Sequence, residues 1–314
     1  MPPVARKNPV RADSSESRYS LMEFMREFPD DDACLRWLWR DRYSADGEHA
    51  SCPRCEQERT FVRYETSQQR QSWTCRSCGH HLHPTAGTIF AKSSTSLHLW
   101  FYAMFLVSQT RCGISAKQLE RELGVTYKTA WRMLNLIRNQ LMEQDAEPLS
   151  GNVEIDETAY GGKPRAYANR STGKKRTTTT WKKETVFGMV ERGGRIKATH
   201  LPDRGGVGIK REIHEHVLPA SMIFTDDWPT YRGLDKHYAG HRRIKHSARI
   251  YVDGDSHTQT IDGFFGNLKN GIRGTYHAVS AKWLQGYLNE YAWRYNHRHA
   301  ADSMFRLLLA RAAV

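Results

Sequence analysis

Three features of the 314-residue chain predict a multidomain α+β protein. Two Cys-x-x-Cys pairs stand 19 residues apart in the N-terminal third, helical periodicity with successive cap signals follows them, and the second half alternates strand-like with helix-like segments. The implied order is a helical N-terminus, a small metal-bound ribbon, a helix-turn-helix, and an α/β region with a mixed sheet. Charge narrows the function. Lys and Arg number 47 against 34 Asp and Glu, a formal +13 and a pI near 9.5. Such a balance favours a polyanion, because each cation that neutralises a phosphate releases condensed counterions; a basic surface that only aids solubility is the alternative. No stretch reaches the roughly 18 apolar residues of a membrane span and the N-terminus lacks a signal-peptide core, so a cytoplasmic chain with no membrane partner is expected.

Residues 1–18 are polar and Pro-containing, the composition of a disordered tail. Over residues 19–48, apolar positions Leu21, Phe24, Met25 and Phe28, then Leu35, Leu38 and Trp39, flank Pro29-Asp30-Asp31-Asp32 and predict two short helices. Residues 49–92 hold Cys52, Cys55, Cys75 and Cys78, at the spacing by which two knuckles close one tetrahedral zinc site. A redox role for the pairs is the alternative, but no βαβ pattern surrounds them. Four thiolates fill such a site, which leaves His80, His81 and His83 as flanking residues, and so short a segment orders itself only around a metal. Cys34 and Cys112 lie in helical-looking apolar patterns and are expected as free, buried thiols.

Over residues 93–146, Leu97 to Ser108 is apolar and helix-compatible. Ser115 caps a helix that stops at Gly124, and Thr126 caps a second in which Ala130, Leu134 and Ile137 pack while Tyr127, Lys128 and Arg132 are available to a major groove. This is a helix-turn-helix; an ordinary helical hairpin has the same pattern.

Residues 150–300 open with Asn152 to Tyr160 in period two, Val153, Ile155 and Glu157 on one face and Asn152, Glu154, Asp156 and Thr158 on the other. Thr185 to Val190 and Arg195 to Leu201 flank the hairpin signal Gly193-Gly194. A helix near Gly208 to Val217 leads to the apolar strand Ser221 to Thr225, which ends at Asp226. Asp262 and Lys269 are seven residues apart, two helical turns, so they share one face about 10 Å apart. Singly, Asp226 reads as a turn cap and Asp262 as a helix N-terminal charge. Jointly, three acids from a strand, a later strand and a helix suit a pair of Mg2+ or Mn2+ ions about 4 Å apart, as two-metal phosphoryl transfer requires; Asp227, Asp253 and Asp255 are the other candidates. Lys163 to Lys183, which includes Lys174, Lys175 and Arg176, lacks acids and reads as a basic loop. A second acid-poor basic stretch runs from Lys236 to an extended tail at Arg249 to Val252. His257, His277 and His297 read as solvated or phosphate-facing, and the stripe Trp283, Tyr287, Tyr291, Tyr295 as core or subunit contact. Residues 301–314 form a C-terminal helix or tail.

The stretches Cys52-Pro53-Arg54-Cys55, Pro84-Thr85-Ala86-Gly87-Thr88-Ile89-Phe90, Val153 to Thr158, Thr225-Asp226-Asp227-Trp228, His257 to Phe265, Gly271 to His277, and Tyr291 to Arg298 occur in an order that resembles the DDE-type bacterial insertion-sequence transposases of the ISXO-like group, across about residues 21–298. The resemblance implies a ribonuclease-H-like catalytic domain that cleaves element ends in double-stranded DNA and joins them to target DNA, as a homodimer or larger assembly in the bacterial nucleoid. It implies Asp156, Asp226 and Asp262 as catalytic magnesium ligands, with Lys269 near the scissile phosphate, and Arg273 stands in the same matched region. Two positions depart from the pattern: Asp262 where Glu is usual, and Gln259 where many relatives carry Asn. A related structure-specific nuclease and a catalytically inactive DNA-binding regulator are the other functions compatible with these motifs.

Overall fold

In a computed structural model, Ser20 opens helix α1 (Leu21–Glu27) with a reciprocal capping box to Glu23, and Asp30 caps α2 (Asp31–Arg42) through the Ala33 amide. The structure describes residues 18–65, 71–161, 183–202, 205–244, 252, 254–300 and 302–314. Lys174, Lys175, Arg176 and Asp253, most of the Arg249 to Val252 tail and all but one residue of the N-terminal tail lie outside these residues. A four-stranded antiparallel sheet follows: β1 (His49–Cys52), β2 (Gln57–Glu65), β3 (Gln71–Cys75) and β4 (His81–Leu82). Its small apolar side rests on α2, where the Trp39 and Trp73 rings stack at 4.7 Å. Three helices come next, α3 (Leu97–Gln109), α4 (Ala116–Leu123) and α5 (Tyr127–Leu136), followed by a π-helical turn at Ile137–Leu141. Cys112 departs from expectation: α3 ends at Gln109 with Thr110 as its cap, so Cys112 falls in the turn before α4 and is exposed, while Cys34 is buried.

The chain divides into two units, Met1–Leu141 with Ala300–Val314, and Met142–His299. The second is built on β5 (Asn152–Tyr160), β6 (Glu184–Glu191), β7 (Ile196–Leu201), α6 (Gly206–His216), β8 (Met222–Asp226), β9 (Gly240–Ile244), α7 (Gln259–Gly271) and α8 (Ala281–Asn296). Strand order is β7-β6-β5-β8-β9, antiparallel among the first three and parallel from β5 to β8 to β9, so the sheet is mixed. Period two divides its side chains. Val153, Ile155, Phe187, Met189 and Ile223 pack on one face with Ile209 and Ile213 of α6; Val186, Val190, Ile196 and Ala198 pack on the other with Phe264, Phe265 and Leu268 of α7 and Leu284, Leu288 and Tyr291 of α8. Tyr291 of the aromatic stripe is therefore core, and Tyr295 packs against it.

The β7 edge is closed by side-chain amides. Asn296 bonds the N–H and C=O of Ile196, Gln144 bonds those of Ala198, and Gln285 accepts from the His200 N–H. The outward-facing groups of Ile196 and Ala198 and the His200 N–H are thus satisfied without another strand, which hinders edge pairing. The chain then returns to the first unit, where α9 (Met304–Ala312) puts Phe305 among Tyr19, Phe24, Phe28 and Phe105. No helix among the described residues is long and apolar enough to cross a membrane.

Candidate active site

Asp156 lies midway along β5, Asp226 is the last residue of β8, and Asp262 sits in the first turn of α7. Parallel pairing of β5 with β8 puts Asp226 on the neighbouring strand, in register two residues beyond Phe224, which pairs with Glu154. The helix reaches the strand through a glycine. Gly188 of β6 is the cross-strand partner of Asp156, and a Cβ there would stand 2.7 Å from Ile261 Cδ1 and 2.9 Å from Phe265 Cζ. Only the missing side chain lets α7 lie this close to the sheet.

Electrostatics record the convergence. Burial and then the Glu157 carboxylate push the Asp156 carboxyl up to about 8; the Glu157 N–H on Asp156 Oδ1 at 2.8 Å pulls it down, and Asp262 and Asp226 each add a smaller upward push. Asp226 Oδ1 accepts from the Trp228 N–H at 3.0 Å, and the Thr258 hydroxyl lies 3.4 Å from Asp262 Oδ2. On the far side of β5, Glu157 accepts a 2.5 Å hydrogen bond from Tyr231, a phenol held well above its usual range by burial and by Glu157, Asp156 and Asp226. Among the described residues neither Asp156 nor Asp262 is paired with Lys or Arg. A set of carboxylates that cannot all ionise unaided is the donor set that a divalent cation satisfies.

Lys269 is partly exposed, two turns along α7 from Asp262, and Arg273 is exposed in the π-helical turn Ile272–Tyr276 that extends α7. Asp255 is exposed, and its carbonyl rather than its carboxylate is engaged, accepting from Arg192 at 2.7 Å. His257 is partly buried, and the His277 ring nitrogen lies 3.1 Å from the Arg273 carbonyl.

Sequence reasoning missed two residues. Glu154 is fully buried, on the same face of β5 as Asp156, and Arg192 meets it with Nε to Oε1 at 2.8 Å. The alternation along β5 puts Glu154 beside Asp156; what it lacks is any sign that a charge there is buried. Glu157 is the other acid close to Asp156, and here the only signal is adjacency in sequence.

In the first unit, Cys52, Cys55, Cys75 and Cys78 bring their sulfurs within 4.8 Å of one another, with Cys52 to Cys78 at 3.6 Å and Cys55 to Cys75 at 4.0 Å. Four sulfurs about 2.3 Å from a tetrahedral ion stand about 3.8 Å apart, so the cluster is compatible with zinc. Burial raises the Cys75 thiol, but the N–H groups of Cys78 and Ser77 outweigh it and bring Cys75 to about 7. His81 turns its ring nitrogen to Thr74 Oγ1 at 2.8 Å instead. In α4 and α5, Ser115 and Thr126 cap as anticipated, Gly124 takes the left-handed conformation at φ 64°, and Ala130, Met133 and Leu134 are buried. Tyr127, Lys128 and Arg132 are all exposed.

Comparison with known proteins agrees with this arrangement. Residues 148–296 match the ISXO2-like transposase domain. An uncharacterised protein in transposable element ISH50 of Halobacterium salinarum is 28% identical over 253 residues, 77% of this chain and 84% of that protein. An uncharacterised transposase-like protein of Haemophilus influenzae is 29% identical over 84 residues, 27% of this chain and 67% of that protein. A cryo-electron microscopy structure of the simian T-cell lymphotropic virus intasome in complex with PP2A regulatory subunit B56 gamma aligns with 66% of this chain and 71% of that one, at 14% identity and a TM-score of 0.31, too slight a likeness to bear on the fold. With both relatives tied to transposable elements or transposases, the acid-bearing unit is matched to an ISXO2-like transposase domain and the chain is similar to the insertion-sequence transposases of the ISXO-like group.

Proposed function

We propose that the protein cleaves DNA strands at the ends of an insertion sequence and joins them to target DNA by two-metal phosphoryl transfer, on a ribonuclease-H-like unit. One observation carries this reading: Asp226 and Asp262, far apart from Asp156 in sequence, both lie near enough to add their charge to the burial and the Glu157 carboxylate that raise the Asp156 carboxyl to about 8. Magnesium or manganese, when bound, lowers the pKa of the attacking water or hydroxyl and stabilises the leaving oxygen. Asp156, with Asp226 and Asp262 flanking it, would hold the ions and would give up its proton on doing so. Lys269 and Arg273, along the helix from Asp262, hold the phosphate backbone near the cut. Lys128 and Arg132 on the second helix of the helix-turn-helix contact end DNA, and the basic run with Lys174, Lys175 and Arg176 adds phosphate contacts. The four cysteines hold structural zinc. Two element ends must be joined, so the working form contains at least two copies, acting on DNA in the cytoplasm.

Strand cleavage and transfer on duplexes that carry the element's own ends test the proposal. Asp156→Asn and Asp226→Asn are expected to abolish both reactions while DNA binding persists. Activity retained in both variants refutes the site; cleavage without any joined product makes the protein a nuclease, and binding without either reaction in the unaltered protein makes it a DNA-binding regulator.

A further inference from the structure

Resting on that reading of the active site, we propose that Glu154 and Arg192 are positioning residues that set how far Asp262 reaches toward Asp156. Helix α7 begins after Thr258, whose side chain makes no cap bond to the helix amides. Those amides are capped from another element: Glu154 Oε2 accepts from the Thr260 N–H at 2.8 Å and the Ile261 N–H at 3.2 Å, and Oε1 accepts from the Thr260 hydroxyl at 3.0 Å. The strand that carries the first acid thus caps the helix that carries the third, one residue before Asp262.

Arg192 completes the clamp. Its Nη1 donates to the Asp255 carbonyl at 2.7 Å and its Nη2 to the His257 carbonyl at 2.9 Å, so the same guanidinium that pairs with Glu154 also holds the segment entering α7. It lies 3.9 Å over the ring of Phe224, two residues before Asp226 in β8. His257 Nδ1 stands 3.2 Å from Glu154 Oε1 without hydrogen-bonding geometry, which leaves Arg192 as the cation that matters. One buried cluster therefore joins all three elements that bear the acids. An aspartate has about 1.5 Å less reach than a glutamate, so where the backbone of Asp262 is held decides whether its oxygen arrives.

Manganese binding to the zinc-loaded full-length protein, followed by the electron paramagnetic resonance signal of free Mn2+, tests this without reference to activity. Glu154→Gln is expected to weaken Mn2+ binding roughly tenfold. Adding Asp262→Glu in that background should restore most of the loss, because the longer side chain spans the gap left when α7 moves outward; in the native background Asp262→Glu should give no gain. Native affinity in Glu154→Gln, or a loss that Asp262→Glu leaves untouched in a variant with native circular dichroism, overturns the proposal. If Glu154→Gln does not fold, Arg192→Lys is compared instead: it keeps a charge beside Glu154 but loses a carbonyl contact, and a smaller loss recovered by Asp262→Glu is expected, with no recovery again overturning it. Asp156→Asn serves as the reference. Native Mn2+ affinity in that variant removes the active site itself, a failure distinct from that of the clamp.

Discussion

Replacing Asp156 by Asn is expected to stabilise the protein in the absence of magnesium, although it destroys the proposed activity. The Asp156 carboxyl is raised from 3.8 to about 8. Between those values the folded protein binds a proton that the unfolded chain does not, so stability is complete below about pH 4 and falls as pH rises toward 8. A tenfold change in proton affinity corresponds to about 1.4 kcal/mol, so the full span sets a ceiling of about 6 kcal/mol; with relaxation and water entry, about 2–4 kcal/mol is expected at pH 8. An asparagine side chain carries no charge, keeps an oxygen for the Glu157 N–H, and escapes this cost. In a domain of this size 1 kcal/mol moves Tm by about 2–4 °C, so the Asp156→Asn variant should melt several degrees higher than the native protein at pH 8 and equally at pH 4. Thermal unfolding of zinc-loaded, magnesium-free protein across pH 4 to 8 measures the difference. Magnesium should reverse the order, stabilising the native protein and leaving the variant unchanged, with proton release visible as calorimetric enthalpies that depend on the buffer. A variant less stable than the native protein at pH 8 without magnesium, or a difference independent of pH, refutes the electrostatic account.

Gly188→Ala should cost about 1–3 kcal/mol, measured by denaturant unfolding, because its Cβ meets Ile261 and Phe265; Ile261→Val, which removes the Cδ1 it strikes, should recover part of that cost, and full additivity of the two changes would count against the contact. Cys75→Ser should lower zinc from one ion per chain, counted by elemental analysis, and loosen the β1–β4 sheet to proteolysis; unchanged metal content would remove the ribbon assignment. Lys128→Ala and Arg132→Ala should each weaken binding to duplex DNA and lower the slope of log K against log salt by about 1, and an unchanged slope would take these residues off the DNA.

Local rules carry far in this chain because its caps and turns obey them. Ser115, Gly124 and Thr126 bound α4 and α5 as their chemistry dictates, since the bonds that end a helix lie within a few residues. The hairpin at Gly193-Gly194 and the alternation of β5 are equally legible. Strand β9 is hidden inside a basic stretch, because an edge strand with exposed Arg242 and Arg243 has no apolar alternation to announce it. The exposure of Cys112 escapes the sequence for a similar reason: where a helix stops depends on what its next turn would pack against, and the sequence pattern runs on past that point.

By itself the sequence determined most of the helices and the strands with clear alternation, the four-cysteine pattern, the basic charge and the three candidate acids, all written in short spacings or composition. Tertiary structure alone decided how those acids meet. The seat under α7 is a glycine 74 residues before Asp262, the cap on α7 comes from a strand about a hundred residues earlier, and α9 completes a core begun by α1. None of these pairings leaves a local trace, because hydrogen bonds and packing act between atoms close in space, whatever length of chain separates them.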